Sequence, residues 1–169
     1  MSNQPRKKVQ EFCLFSPTFR QFYLDFRECT RIPRSRNKEN MSTIDDVKKT
    51  AADLVGHFGS SRVSEYFACF SESADFIFYT HSERLPSKKA YEDLWKTWEA
   101  EMNFKVLSCT STNQDVRLVG NNVAIFTHNV STNISTNDGT DTVLERETIV
   151  FELQHGKWIA IHEHLSPAA

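Results

Sequence analysis

The chain of 169 residues is long enough to bury a sizeable core and short enough to form one domain. Its net charge of −2 and its charged fraction of 25% are ordinary for a folded protein, so composition favours neither a nucleic-acid-binding nor a membrane-bound class. No apolar run approaches the roughly 18 residues of a membrane span, and no secretory signal is visible. The four cysteines lack Cys-x-x-Cys spacing, which predicts free thiols and a cytoplasmic location.

Charge is distributed unevenly along the chain. Residues 1–40 carry nine Lys/Arg and four Asp/Glu, whereas the remainder is acidic. A basic segment could contact nucleic acid or an anionic membrane, but its patchy apolar content favours a poorly ordered or loosely docked extension. We therefore predict an extension over residues 1–40 and a folded domain over 41–169, with Met41 as an alternative start.

Three helices are predicted in the first half of this domain. Ser42 or Thr43 resembles an N-cap, and apolar residues then recur at helical spacing up to Gly59. A short helix is expected over residues 61–70 and a first strand over 74–80. Ser87 is placed to cap a third helix with an apolar stripe.

From residue 104 onward the alternation of apolar and polar residues predicts only strands, over residues 104–112, 114–119, 122–134, 142–154 and 158–165. Helices followed by long antiparallel strands are typical of an α+β domain. We expect a cone-shaped, strongly curved antiparallel sheet that wraps around the N-terminal helices and encloses a pocket.

The last hairpin defines the candidate site. A two-residue turn would pair Ile149 with His162, an apolar face against a polar one, whereas a three-residue loop pairs Glu147 with Glu163 on the apolar face. We predict the three-residue loop. Closing the preceding hairpin at an Asn-Asp-Gly turn then places His128 diagonal to Glu147, within side-chain reach.

These three side chains, His128, Glu147 and Glu163, are the candidate catalytic groups. A carboxyl in apolar surroundings has a raised pKa and can act as a general base near neutral pH. A second carboxyl that stays protonated can donate a hydrogen bond to a developing enolate. The alternatives are a structural polar network or a site that only orients a ligand.

The opposite face of the last strand is predicted to contact a second subunit. It presents His162 and His164 beside Trp158, and it is too apolar for a free monomer. Two histidines at this spacing could ligate a metal, but the pattern places no third ligand nearby. We therefore predict a homodimer through this face, with no metal and no cofactor.

Several stretches resemble a known family. They are residues 115–125 (DVRLVGNNVAI), Glu147-Thr148, Gly156-Lys157-Trp158 and His162-x-His164-x-Ser166-Pro167. They are similar to the association domain of calcium/calmodulin-dependent protein kinase II and to SnoaL-like proteins. Both belong to the nuclear transport factor 2-like superfamily, which includes ketosteroid isomerases, polyketide cyclases and scytalone dehydratase. The resemblance covers about residues 42–167 and implies the cone-shaped fold.

The resemblance also implies a changed pocket. Arginines that contact carboxylate ligands in the kinase association domain match three aliphatic residues here, so the anion-binding groups are lost. The expected function is binding of a small hydrophobic ligand; a ketosteroid-isomerase-like isomerase, cyclase or dehydratase and an oligomerisation module are the alternatives. The arginine positions are Val130, Ile149 and Leu165. The predicted ligand-pocket residues are Tyr79, Trp95, Trp98, Phe126, Val130, Ile149, Phe151, Ile161 and Leu165.

Overall fold

The computed structural model describes residues 34–168, and side chains from residue 43 onward. Residues 39–169 belong to one compact unit, and the predicted extension over 1–40 lies almost wholly outside the described residues. The elements run in the order α1 (Arg34–Gly59), α2 (Val63–Ala68), β1 (Phe70–Phe78), α3 (Lys88–Met102), β2 (Lys105–Val119), β3 (Val123–Thr136), β4 (Gly139–Gln154) and β5 (Lys157–Pro167).

The helices follow the predicted order, with one boundary changed. Helix α1 begins at Arg34, so the predicted cap at Ser42 or Thr43 is wrong: residues 34–41 contain several good helix formers, and the helix starts earlier. The cap of α3 is confirmed, because the Ser87 hydroxyl accepts a hydrogen bond from the Ala90 N–H at 3.2 Å. No helix within residues 34–168 is both long and apolar enough to cross a membrane.

The five strands of the described region form one curved, unclosed sheet in the order β1-β5-β4-β3-β2. Strand β1 pairs with β5 in parallel, and the other neighbours are antiparallel. The two strands predicted over 104–119 are one continuous strand, β2, whose pairing with β3 shifts around Asn113, a residue with φ of 52°. The sheet wraps around the helices, which confirms the predicted α+β cone.

Aromatic side chains fill the space between the helices and the sheet. Phe76, Phe126 and Phe151 are fully buried on the inner face of the sheet. Tyr91 and Trp95 of α3 make T-shaped or tilted contacts with neighbouring aromatic rings. The centroid of the Tyr91 ring lies 4.8–6.2 Å from the centroids of its neighbours. The space between the helices and the sheet is therefore largely a close-packed aromatic core.

The β4–β5 hairpin differs from the predicted one. It closes through a two-residue turn, His155-Gly156, with φ of 52° and 78°, and Gln154 pairs with Lys157. The predicted three-residue loop is wrong. A bulge at Ile161 then inserts one unpaired residue, since Phe151 pairs with Ala160 whereas Val150 pairs with His162.

This bulge decides which side chains of β5 face the core. Before it, Trp158 and Ala160 point inward and are 7% and 0% exposed. After it, Glu163 and Leu165 take over the inner face. The prediction that Trp158 lies on the outer face is wrong, because an extra residue exchanges the two faces of a strand.

The β3–β4 hairpin is shifted by two residues from the predicted pairing. Thr136 pairs with Gly139, so Asn137-Asp138 forms the turn, and His128 pairs directly with Glu147. The predicted diagonal placement of His128 and Glu147 is wrong, because the two residues are directly opposite each other. A shift of two residues preserves the faces, however, so His128 and Glu147 still point inward.

Candidate functional site

A row of polar side chains crosses the inner face of the sheet from strand to strand. It consists of Ser111 on β2, His128 on β3, Glu147 on β4 and Glu163 on β5, and we call it the polar row. Ser111 Oγ lies 2.8 Å from His128 Nδ1, and His128 Nε2 lies 2.6 Å from Glu147 Oε2. The carboxyls of Glu147 and Glu163 share a hydrogen bond, and the Tyr66 hydroxyl donates to Glu163 Oε2 at 3.1 Å. The structure therefore brings all three predicted catalytic residues together.

The buried members of the row are neutral near pH 7. Burial, with a smaller contribution from the charge of Glu145, raises the pKa of Glu147 to about 8. Burial and the adjacent Glu147 raise the pKa of Glu163 well above its usual value. Burial also lowers the pKa of His128 to about 4, so its imidazole is neutral near pH 7. Its contact with Glu147 joins two neutral groups, and Nε2 makes no aligned hydrogen bond within the described residues.

The polar row ends at a small cavity between α1 and the inner face of the sheet. The cavity has a volume of about 40 Å³, which is room for a few water molecules and far below the roughly 300–1,000 Å³ of typical ligand pockets. Among residues 34–168, no Lys or Arg lines it. The lining side chains are Leu54, Val55, Phe58, Tyr66, Tyr91, Cys109, Val130, Glu145, Glu147, Glu163 and Leu165.

The model of the SnoaL-like domain matches residues 47–169, well over half of the chain. The chain belongs to the SnoaL-like domain family. No curated protein matches it. The match confirms the resemblance found in the sequence and places the polar row inside the SnoaL-like domain.

Solved structures share the fold of this SnoaL-like domain. A candidate scytalone dehydratase from Novosphingobium aromaticivorans aligns with a TM-score of 0.68 at 12% identity, over 79% of this chain and 89% of that one. An NTF2-like protein of unknown function in nutrient uptake from Rhodospirillum rubrum aligns with 0.64 at 13%, over 73% and 99%. A candidate calcium/calmodulin-dependent protein kinase II association domain from Xanthomonas campestris aligns with 0.55 at 16%, over 81% and 89%. At such identities the likeness shows the fold alone, which confirms the predicted nuclear transport factor 2-like architecture.

The structure separates the predicted ligand-pocket residues into lining and core. Val130 and Leu165 line the cavity. Ile161 lies at the bulge and outside the buried core, and Tyr79 is 46% exposed. Trp98 packs against the core from a partly buried position. The remaining four are buried in the close-packed core and do not line the cavity: Trp95, Phe126, Ile149 and Phe151.

Three polar residues at the cavity were missed in the sequence. Tyr66 and Tyr91 come from α2 and α3, and their rings pack edge to face with centroids 6.2 Å apart. Glu145 is half-buried on β4, and burial raises the pKa of its carboxyl. Glu145 shares the alternation of Glu147, so its inward direction was readable. The tyrosines lie on helices, and alternation in the strands carries no information about which helix residue reaches a given strand.

The outer face of β5 carries a separate polar group. His162 Nδ1 lies 2.7 Å from Asp75 Oδ1, and Arg84 donates to Asp75 Oδ2 at 2.5 Å. His164 is exposed beside His162, with the two rings 6.5 Å apart. Within residues 34–168 no cluster of three or more His, Cys, Asp or Glu could hold a metal ion.

Proposed function

We propose that this SnoaL-like domain binds a small, neutral, hydrophobic molecule that carries a carbonyl oxygen, in the cavity at the end of the polar row. The observation that carries the proposal is the chemistry of the lining: it includes the hydroxyls of Tyr66 and Tyr91 and the protonated carboxyls of Glu147 and Glu163, set among aliphatic and aromatic side chains. Such groups donate hydrogen bonds, and a carbonyl oxygen accepts them.

Charge complementarity supports a neutral ligand. An anionic ligand would lie beside Glu145 and Glu147 with no cationic side chain of the described residues to offset its charge. Two of the aliphatic positions that match ligand-binding arginines in the kinase association domain, Val130 and Leu165, form part of the wall. An apolar wall with a few donors is the usual composition of a site for a neutral organic molecule.

The volume of the cavity requires it to enlarge on binding. At about 40 Å³ it cannot hold a six-membered ring as it stands. Phe58 and Leu165 line it and are only partly buried, so they are the side chains that can move aside with the least loss of packing. Ligand binding is therefore coupled to displacement of these two side chains.

Acid–base catalysis is the second candidate, favoured by the pairing of two carboxyls beside Tyr66. With its pKa at about 8, Glu147 in its ionised form is basic enough to remove a proton next to a carbonyl. Tyr66 and protonated Glu163 would donate hydrogen bonds to the enolate oxygen that forms. This is the chemistry of a ketosteroid-isomerase-like isomerase, cyclase or dehydratase.

A homodimer through the outer face remains our proposal for the assembly. Its support is a half-buried apolar patch on β3, β4 and β5, formed by Ile125, Val150, Ile159 and Ile161. Because Trp158 belongs to the core, it is not part of this face. An oligomerisation role is compatible with the small cavity, since such a role needs no ligand.

The binding proposal predicts a preference among three matched probes. We expect cyclohexanone to bind more tightly than methylenecyclohexane, which has the same shape but no acceptor, by about five-fold, the equivalent of roughly 1 kcal/mol for one hydrogen bond. Cyclohexanecarboxylate should not bind. Titrations followed by NMR of the Val130 and Leu165 methyl groups would measure all three.

The control is Tyr66→Phe, which removes one donor and keeps the ring. In this variant the ketone should lose its preference, whereas the hydrocarbon should bind as before. Equal or tighter binding of the hydrocarbon by the wild-type protein, binding of the carboxylate, or no methyl shifts at saturating ketone would each contradict the proposal.

A further inference from the structure

The polar row has a second end, at the edge of the sheet. Ser111 lies on β2, the edge strand, and is half-buried. Its Oγ accepts a hydrogen bond from the amide of Gln114 at 2.8 Å, and the Gln114 side chain is exposed. Ser111 therefore touches solvent-facing groups on one side and the buried His128 on the other, at 2.8 Å.

Between this edge and the cavity, the chain of contacts is unbroken. His128 bridges β2 and β4, because its Nδ1 faces Ser111 and its Nε2 lies 2.6 Å from Glu147 Oε2. Glu147 in turn shares a hydrogen bond with Glu163, which accepts from Tyr66 at 3.1 Å. One side chain from each of four adjacent strands thus leads from solvent to the helices.

The residue types in this row have one property in common. A hydroxyl, an imidazole and a carboxyl can each accept a proton on one lone pair or atom while releasing another proton. An amide side chain could make the hydrogen bonds at these positions, and an aliphatic side chain could fill the space, but neither could accept one proton while releasing another. A purely structural row would not need every member to be able to exchange protons in this way.

We propose that Ser111 and His128 form a proton relay that connects the Glu147–Glu163 pair to solvent at the edge of the sheet. A proton from water binds Ser111 Oγ as the Ser111 hydroxyl proton moves to His128 Nδ1. His128 and Glu147, whose Nε2 and Oε2 atoms are already 2.6 Å apart, turn until these atoms align, and the proton on His128 Nε2 then moves to ionised Glu147. Each transfer forms one O–H or N–H bond and breaks another, so the net result is one proton delivered to Glu147 and one hydroxide left in the water.

The imidazole takes part as a neutral group. Burial lowers the pKa of His128 to about 4, so the histidine exchanges its two tautomers and does not accumulate as imidazolium. Only the use of the relay rests on the proposed function, because a carboxyl that donates or accepts a proton in catalysis must afterwards exchange that proton with solvent. Its existence is a property of the ligand-free protein.

The experiment measures deuterium uptake by the buried carboxyls in the full chain without ligand. Rapid dilution into D2O converts COOH to COOD and shifts the infrared C=O band of protonated, isotope-labelled Glu side chains. We expect Ser111→Ala and His128→Gln to slow this shift by roughly ten-fold or more, since a positioned proton-transfer group contributes about 10²–10⁴-fold. Ser111→Thr, which retains a hydroxyl, should exchange at the wild-type rate.

Gln114→Ala is the matched control, because it removes a side chain that contacts Ser111 but takes no part in the transfers. It should leave the rate unchanged. A merely structural role for Ser111 predicts the opposite sign, since a loosened sheet would admit water and speed the exchange. Unchanged or faster exchange in Ser111→Ala, whose fold is confirmed by its amide spectrum, would overturn the relay; ketone binding in the same variant reports separately on the proposed function.

Discussion

Glu163→Gln is expected to match the wild-type protein closely near pH 5 and to be the more stable of the two at pH 8, with a difference that grows by about 1.4 kcal/mol for each pH unit between the unfolded-state and folded-state pKa of Glu163. Burial, with the adjacent Glu147, raises the pKa of Glu163 well above its usual value of 4.5. The folded wild-type protein therefore keeps a proton that the unfolded chain releases above about pH 4.5. Its stability falls as the pH rises through this range, until the native pKa is passed. Gln has no proton to lose, and its carbonyl can still accept from Tyr66.

Urea unfolding at pH 5, 6.5 and 8 would measure this effect as a difference between the variant and wild type. His128 contributes a term of opposite sign, because its pKa is lowered to about 4 and its stability contribution rises with pH up to about 6.5. That term is present in both proteins and cancels in the difference. Glu83→Gln, in an exposed loop, is the control and should show no pH-dependent gain. A difference that stays constant or shrinks with rising pH would show that Glu163 is not held protonated.

The alternation of apolar and polar residues was sufficient to predict which face of the sheet carries the candidate site. It assigned His128, Glu147 and Glu163 to the inner face, and the structure places them there. The predicted strand register was wrong in both hairpins, but the same three side chains still meet. Glu163 was predicted directly opposite Glu147 and His128 diagonal to it. In the structure His128 is directly opposite Glu147, and Glu163 is diagonal to it. Faces survive a shift of two residues, and the cluster survives with them.

The bulge at Ile161 is the feature that alternation could not supply. A two-residue turn with regular pairing would place apolar residues opposite polar ones, and for that reason a three-residue loop was predicted. The protein instead has a two-residue turn and one extra residue in β5, which restores the match of the faces. The two solutions differ by where one residue is inserted, and the hydrophobic pattern of a single strand does not distinguish them. Only the packing of Trp158 against the rest of the core does.

Contacts between the helices and the sheet were the second feature that could not be predicted from the sequence. Tyr66 reaches Glu163 across 97 positions of the chain, and helical periodicity defines a buried stripe without identifying its partner. The volume of the cavity was also out of reach, because it depends on how closely rings such as Trp95 and Phe104 interlock, with centroids 5.3 Å apart. Order, element type and faces are local properties, whereas cavity size is a property of the whole core.

The bulge gives the second large effect. Trp158→Ala is expected to destabilise the protein by roughly 3–5 kcal/mol, as for other buried aromatic side chains, because Trp158 is 7% exposed and belongs to the core cluster. A place on the outer face, where Trp158 was predicted to lie, would have made it a dimer contact instead. A charged residue there should now prevent folding, since it would bury an unpaired charge.

The matched variant is Ile161→Glu, three residues along the same strand and on its outer side. It should change the intrinsic stability of the monomer by no more than about 0.5 kcal/mol, and it should dissociate the proposed dimer by placing a charge in its apolar contact. Urea unfolding at two protein concentrations separates the cases: the loss in Trp158→Ala should be independent of concentration, and any loss in Ile161→Glu should depend on it. Light scattering gives the mass of each variant. If Trp158→Ala were as stable as wild type, or if Ile161→Glu unfolded the isolated monomer, the assignment of inner and outer faces around the bulge would be wrong.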